Sequence, residues 1–365
     1  MNASTFERLA ETAVDLPGDR SLFLKSLLTR PLWRALIALC AFVSALFGLA
    51  APFFQKFFVD RLVGAQGRFH LEALDAWPPW SLLVAAFLCL VAGQSLSLLA
   101  NFIGFRESTL LQRVLSHKVF EKTLALRSEN LSGRSTGEIV ALYATDVQGA
   151  TAFLELSLPT GAGILFPLLL GPGLIHLLFG VPFVPLFTLQ LGVAALCAVL
   201  AWRQARMFLR FKQLAAERTG LVNEWVQNLR TLRVLSWVSA FETKMFRKRE
   251  EETINRVRMV TNGQVMSSVG SSASFLLNVV AVSALVTLHG DTVTPGEILA
   301  LLWILGVFLS RPFRQIPWVF TFTMDGLTSL RRVERFLRIP SPKVERPAGP
   351  VPVEGSAHAL GLEVR

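Results

Sequence analysis

Six apolar stretches, each about 20 residues long, constrain this chain more than any other feature. A helix of that length crosses the roughly 30 Å hydrocarbon core of a bilayer, and its backbone groups bond to one another inside the helix. We therefore predict an all-α membrane protein with six transmembrane helices. The predicted spans are Leu32–Phe54, Leu82–Phe105, Pro159–Phe179, Pro182–Trp202, Val265–Leu288 and Ile298–Phe320.

The composition agrees with insertion into a membrane. Hydrophobic residues make up 52% of the chain and charged residues only 17%, whereas soluble domains carry about 25% charged residues. The net charge of +10 would suit a nucleic-acid-binding protein, but the Lys and Arg residues fall between the apolar stretches instead of forming a stripe with aromatic residues. We predict no nucleic-acid partner and interpret these residues as determinants of topology.

The basic residues lie on one side of the membrane at every crossing. They are frequent in residues 1–31, 106–157 and 203–264, whereas residues 63–81 hold only Arg68, and residues 180–181 and 289–297 hold none. Loops rich in Lys and Arg stay in the cytoplasm. The pattern therefore predicts a multi-pass protein of the cell membrane with both termini cytoplasmic.

The two longest polar segments have helical patterns. Residues Arg106–Leu126 carry apolar side chains at helical spacing without Pro or Gly, and Ala205–Ala216 and Thr243–Met259 extend the neighbouring spans in the same way. At 1.5 Å per residue, such extensions project about 30–45 Å beyond the bilayer. We predict long cytoplasmic helical extensions on spans two, four and five.

At the end of each extension the pattern changes. The first tip covers Ser132–Val147, where Gly133 and Gly137 permit a sharp turn before a short helix, and the second covers Asn223–Val234. A short amphipathic element in such a place suits docking into a groove of a partner protein. An ordinary solvated helix-turn-helix is the alternative.

Five sequence segments within residues 31–337 carry a family resemblance. They are GLAAPFFQKFFVDRL (Gly48–Leu62), STGEIVALYATDVQ (Ser135–Gln148), RTGLVNEWVQNLRTLRVLSW (Arg218–Trp237), VTPGEILALLWILGVFLSRPFRQIPWVF (Val293–Phe320) and SLRRVERFL (Ser329–Leu337). In this order they resemble the transmembrane domain of type I ABC exporters, nearest to the multidrug-resistance-associated (C) subfamily. The chain departs from that subfamily at Leu235–Val238, where Tyr-Ala-Trp-Glu is usual, and at Ala216, where an acidic residue is usual.

The resemblance implies a substrate cavity between two six-helix halves, with helices swapped between them, and two coupling regions that touch nucleotide-binding domains. The second half is either an identical or a different chain, and membrane lipid surrounds both. The implied coupling residues are Thr136, Gly137, Glu138 and Asp146 in the first region, and Gln227, Asn228, Leu229, Arg230 and Thr231 in the second.

An exporter also needs an ATPase, and the chain has no G-x-x-x-x-G-K-[ST] loop. Residues 340–352 are rich in Pro, which is typical of an extended linker. The segment His358–Val364 resembles the first strand of a nucleotide-binding domain. We predict a cytoplasmic segment at 1–30, the six-helix domain at 31–338, and a linker with the start of that domain at 339–365. A membrane subunit with a separate ATPase is the alternative. In both cases ATP and Mg²⁺ bind outside this chain, which has no predicted catalytic residue.

Polar residues inside the spans are candidates for the substrate pathway. Arg311 and Arg314 share one face of span six and suit an anion site, with snorkelling or helix pairing as the alternative. Gln94, Asn101 and Asn278 add polar groups, which also serve to pack helices together. Cys40, Cys89 and Cys197 lie inside spans without a CxxC motif, so we predict buried thiols and no metal cluster.

These features favour the membrane-spanning half of an ATP-driven exporter that works by alternating access. A non-transporting membrane adaptor or regulatory subunit is the alternative. A gradient-driven carrier fits poorly, because it needs a carboxylate buried in the membrane and only Glu107, at the edge of a span, qualifies.

Overall fold

The structure, a computed structural model, describes residues 22–23, 26, 30–65, 74, 76–126 and 136–339, without the side chains of residues 136–138, 291 and 307. Its described part contains six helices that are long and apolar enough to cross a membrane, which confirms the predicted all-α fold with six spans. They are α1 (Pro31–Val63), α2 (Pro79–Ala125), α3 (Thr136 to Phe179), α4 (Phe183–Val234), α5 (Val238–His289) and α6 (Pro295 to Leu337).

Helices α3 and α6 contain π-helical segments. In α3, Leu142–Asp146 and Phe153–Ser157 are π-helical and join the α-helical pieces Thr136–Ala141, Val147–Ala152 and Leu158–Phe179. In α6, Ile304–Phe308 is π-helical and lies between Pro295–Trp303 and Ser310–Leu337. Each such segment shifts the register of the side chains that follow it, and π segments often occur at functional sites.

The two ends of the bundle differ. At one end α1, α3 and α5 each finish in a short glycine turn, where Gly64, Gly180 and Gly290 adopt positive φ values of 72°, 68° and 47°. Glycine adopts this conformation without steric cost. We call this end the short-turn end and the opposite end, where α2, α4 and α6 finish, the stalk end.

The predicted extensions are present as helix. Helix α2 has 47 residues and α4 and α5 have 52 each, whereas about 20 residues suffice to cross a bilayer. A straight helix of 52 residues spans about 78 Å. The continuation of the apolar spans into long polar helices is therefore confirmed.

Helices α4 and α5 form a hairpin that is held along its length by polar contacts. The Asn262 side chain donates to Gln204 Oε1 at 2.8 Å and to the Leu200 carbonyl at 3.3 Å. Nearer the tip, Glu252 of α5 accepts a hydrogen bond from Arg218 of α4 at 2.7 Å. The hairpin therefore has its own internal links outside the apolar region.

Within the apolar region, small residues bring helices close together. Ser44 Oγ donates to the Gly93 carbonyl at 2.7 Å, which joins α1 to α2. A Cβ on Gly104 would lie 2.7 Å from Pro159 Cγ and 2.8 Å from the Leu154 carbonyl oxygen, so α2 and α3 meet at this glycine. Close backbone approach is the usual way in which helices associate in lipid, where apolar burial gives little driving force.

At the stalk end a separate apolar cluster joins α2, α3 and α6 to the described part of the N-terminal segment. Leu22 is buried in this cluster and its N–H donates to Glu334 at 3.3 Å, while the ring of Phe23 lies 5.1 Å from that of Phe153. Residues 1–21 and 340–365 lie outside the described residues. The predicted boundaries at 30 and 339 therefore stay predictions.

Candidate functional site

A cavity of about 940 Å³ lies between α4, α5 and α6. Arg311, Arg314 and Trp318 line it from one face of α6, and the ring of Trp318 stacks on that of Phe322 with centroids 6.0 Å apart. Gln264 and other polar and apolar residues of α4 and α5 complete the wall. The cavity thus combines two cationic side chains with an aromatic surface, which suits an amphipathic anion.

A smaller cavity of about 220 Å³ lies on the other side of α6, against α1, α2 and α3. Gln94, Asn101 and Arg311 line it together with small residues of α1 and α3. The Asn101 amide already donates to the Ser97 carbonyl at 2.8 Å. The structure therefore brings three of the five predicted pathway residues into one cavity, and Arg311 borders both cavities.

Asn278 is placed differently from the other predicted pathway residues. It lies on α5 against the π-helical segment of α6, where a Cβ on Gly306 would be 3.1 Å from the Asn278 amide nitrogen. Its side-chain oxygen is buried without a hydrogen-bond donor among the described residues. Asn278 lines neither of these two cavities, and its surroundings favour the packing alternative.

The first predicted coupling region lies at the start of α3. Thr136, Gly137 and Glu138 open the helix Thr136–Ala141, and their side chains lie outside the described residues. Asp146 is buried in the π-helical segment that follows and accepts a hydrogen bond from Arg332 of α6 at 3.1 Å. The contact ties α3 to α6 inside the stalk end, so this side chain does not face outward.

Asp146 lies on the polar extension of α3, outside the apolar stretch. Burial raises the pKa of its carboxyl group, although the positive charges of Arg332 and Lys212 act in the opposite direction. Its second oxygen is buried without a hydrogen-bond donor among the described residues. The α3–α6 contact therefore depends on a carboxylate whose hydrogen bonds are only partly satisfied.

The second predicted coupling region has a different form from the expected one. The sequence pattern placed a separate short element at Asn223–Val234, but this segment continues α4 to its end. Gln227, Asn228, Arg230 and Thr231 are exposed on the last turns and Leu229 is half-buried. The chain reverses at Leu235–Trp237, beyond the predicted tip.

The reversal itself exposes apolar residues that the sequence analysis did not single out. Val234 is 79% exposed and Trp237 is 60% exposed. Between them Ser236 has a φ of 56°, which is rare for a residue other than glycine, and the Trp237 N–H donates to the Leu232 carbonyl at 2.9 Å. This hydrogen bond closes the end of α4 and fixes an apolar, outward-facing turn.

A cluster of buried charges at the short-turn end was also missed. Lys56 Nζ lies 3.6 Å from Asp60 and 3.4 Å from Glu297, and all three side chains are at most 8% exposed. Asp60 accepts the Gly296 N–H at 3.0 Å, and Glu297 forms a capping box with Thr294. These contacts join the end of α1 to the start of α6. We call these three residues the α1–α6 charge cluster.

Other chemistry is sparse in the part of the chain that the structure describes. No group of three or more His, Cys, Asp or Glu side chains is placed there to hold a metal ion. Cys40 and Cys197 are buried free thiols and Cys89 is half-buried.

A family model and several similar proteins point to the same family for this chain. The family model for the ABC transporter transmembrane region matches residues 35–313. "Multidrug resistance protein mrp-7" of Caenorhabditis elegans is 24% identical over 84% of this chain and 20% of its own length. "ABC transporter C family member 6" of Dictyostelium discoideum is 22% identical over 70% of this chain and 19% of its own length. "Vacuolar heme ABC transmembrane exporter abc3" of Schizosaccharomyces pombe is 24% identical over 70% of this chain and 17% of its own length. The chain thus spans about a fifth of each relative.

Proposed function

Because this chain belongs to the family of ABC transporter transmembrane regions and is similar to members of the C subfamily, we propose that it forms the translocation pathway of an ATP-driven exporter. The observation that carries this proposal is the cavity between α4, α5 and α6, with Arg311 and Arg314 on its wall. In this role the chain alternates between two arrangements that open the pathway to opposite sides of the membrane.

The proposed source of motion is a nucleotide-binding domain at the stalk end, which is then the cytoplasmic side. The exposed turn after α4, with Val234 and Trp237, offers that domain an apolar contact, and Gln227, Asn228 and Arg230 offer polar ones. ATP and Mg²⁺ bind to that domain in this proposal. A second membrane half, identical or different, completes the pathway.

The proposed substrates are amphipathic anions. Arg311 and Arg314 are both exposed within a cavity that also presents Trp318 and Phe322. A guanidinium group binds carboxylate or phosphate oxygens through two parallel hydrogen bonds, and aromatic rings contribute apolar contact area. A compound with one anionic group and one planar apolar part would satisfy both features.

We expect Arg311→Gln and Arg314→Gln to weaken transport of an anionic dye about ten-fold each, because a hydrogen bond to a charged group contributes about 1.5–3 kcal/mol. The measurement is the KM for ATP-dependent uptake into inside-out vesicles, with a neutral dye of similar size for comparison. Arg331→Gln, an exposed position further along α6, is the matched control. Equal losses for both dyes would contradict an anion-selective site.

We expect Leu229→Ala and Arg230→Ala to uncouple ATP hydrolysis from transport while membrane insertion stays unchanged. Both residues lie on the last turns of α4 next to the exposed reversal. Their loss should weaken the contact with the nucleotide-binding domain about ten-fold, or by about 1.4 kcal/mol, and so lower the number of molecules transported per ATP. Arg256→Ala, an exposed position on α5, is the control. Intact coupling in both variants would refute this assignment. ATP hydrolysis without flux of any compound would favour the adaptor alternative.

A further inference from the structure

Three arginines and a tryptophan gather where the apolar parts of α1 and α2 end, on the stalk side. Arg30 and Arg34 flank the start of α1, and Arg106 directly follows the predicted apolar span of α2. Leu32, Phe102 and Phe105 are exposed beside them, and Leu32 is 82% exposed. This group therefore lies at the boundary between an exposed apolar surface and the polar extension, which in a membrane-spanning helix is the level of the lipid headgroups.

The side chains in this group are arranged around the Trp33 ring and the Glu107 carboxylate. The Trp33 ring has the Arg106 guanidinium carbon 4.8 Å and the Arg30 guanidinium carbon 5.5 Å from its centroid. The buried Glu107 carboxylate accepts hydrogen bonds from Arg30 at 2.6 Å and from Arg34 at 3.0 Å. The Trp33 ring thus holds two guanidinium groups close together, and Glu107 fixes the position of one of them.

The charges of this group do not balance. Three guanidinium groups face one carboxylate, and Glu107 is already bonded to two of them. No carboxylate of the described residues forms an ion pair with Arg106, which is exposed. The buried Nε of Arg34 also lacks an acceptor within the described part of the chain. Among the residues that the structure describes, the group is therefore short of negative charge and of acceptor atoms, next to an exposed apolar surface.

We propose that Arg30, Trp33 and Arg106 form a binding site for the phosphate group of an anionic phospholipid. The planar fork of an arginine matches phosphate oxygens, and the indole ring of tryptophan prefers the headgroup region. The acyl chains would then lie against the exposed surface of Leu32, Phe102 and Phe105. Such a lipid would anchor the start of α1 to the root of the α2 extension.

The test uses the purified protein in detergent, without ATP or a transport substrate, so its outcome is independent of the proposed export function. Native mass spectrometry would count bound lipids after addition of phosphatidylglycerol or of phosphatidylcholine with the same acyl chains. We expect a preference for phosphatidylglycerol that falls about five-fold in Arg106→Gln and about five-fold again when Arg30→Gln is added, from the attraction between one basic residue and an anionic lipid surface. Arg256→Gln, on the α5 extension, should retain the full preference.

Arg106→Gln is the decisive variant because Arg106 forms no ion pair with a described carboxylate, so its loss leaves the Glu107 contacts intact. An equal affinity of the wild-type protein for both lipids would overturn the proposal, as would an unchanged preference in Arg106→Gln. A competition arm with inorganic phosphate separates the two possible sources of the anion. Displacement of phosphatidylglycerol by millimolar phosphate would show a site for free anions and would also overturn the proposal.

Discussion

Gly296→Ala is expected to prevent correct assembly of α1 with α6. A Cβ at this position would lie 2.6 Å from the Lys56 carbonyl oxygen and 2.7 Å from Asp60 Cγ. The first of these atoms belongs to the backbone of α1, so a side-chain rotation cannot relieve the contact. The helices must move apart, which also breaks the hydrogen bond from the Gly296 N–H to Asp60. Overpacking of this kind costs about 3 kcal/mol, the upper end of the usual range.

The measurement is the yield of monodisperse protein and its thermal unfolding in detergent. Gly220→Ala is the matched control, since Gly220 lies inside α4 with nothing within 4 Å of an added Cβ. There the change should stabilise the protein by up to about 1 kcal/mol, because alanine favours a helix interior more than glycine does. The two substitutions are therefore expected to change the melting temperature in opposite directions. Similar melting temperatures for both variants would show that α1 and α6 do not meet at Gly296.

The second large effect is expected for Lys56→Met. Lys56 is the cation of the α1–α6 charge cluster, and it is 2% exposed. Its removal leaves the Asp60 and Glu297 carboxylates buried close to each other without the charge between them. Removing one partner from a buried ion pair costs about 3–5 kcal/mol, so we expect a strongly lowered melting temperature or no folded protein.

A triple variant separates loss of charge balance from loss of the lysine itself. Adding Asp60→Asn and Glu297→Gln to Lys56→Met removes all three charges and keeps similar side-chain volumes, so most of the lost stability should return. Lys244→Met, at an exposed position on α5, should melt like the wild-type protein. If Lys56→Met also melted like the wild-type protein, the cluster would contribute nothing to the stability of the fold.

Much of the fold could be predicted because bilayer thickness fixes the length of a spanning helix. The six spans and the helical extensions follow from that length and from apolar spacing. The end of α4 was placed too early, although the sequence contains the necessary signal. Trp225, Leu229 and Leu232 continue one face of the helix and are less exposed than their neighbours. Because residues 223–234 contain neither Pro nor Gly, nothing in that segment stops the helix before Leu235.

The candidate site was predicted only in part, because burial of a charged residue depends on distant contacts. Lys56 and Asp60 follow the predicted first span, and Glu297 precedes the predicted sixth. The sequence alone therefore predicts that each of these side chains is exposed to solvent. Only the packing of α1 against α6 buries them together. The Thr294–Glu297 spacing is the one local cue, since it is typical of a capping box. Asp146 was assigned to coupling by resemblance, and its contact with Arg332 required the fold.

The distribution of prolines divides the six helices into stiff and flexible ones. Proline lies inside α1 at Pro52, inside α3 at Pro159, Pro167 and Pro172, and inside α6 at Pro312 and Pro317. Each removes a backbone hydrogen bond and creates a place where the helix bends easily. Helices α2, α4 and α5 contain no such interior proline. In the exporter role proposed above, a push on the α4–α5 turn should therefore swing that hairpin as a rigid rod, while curvature changes concentrate in α1, α3 and α6 around the two cavities.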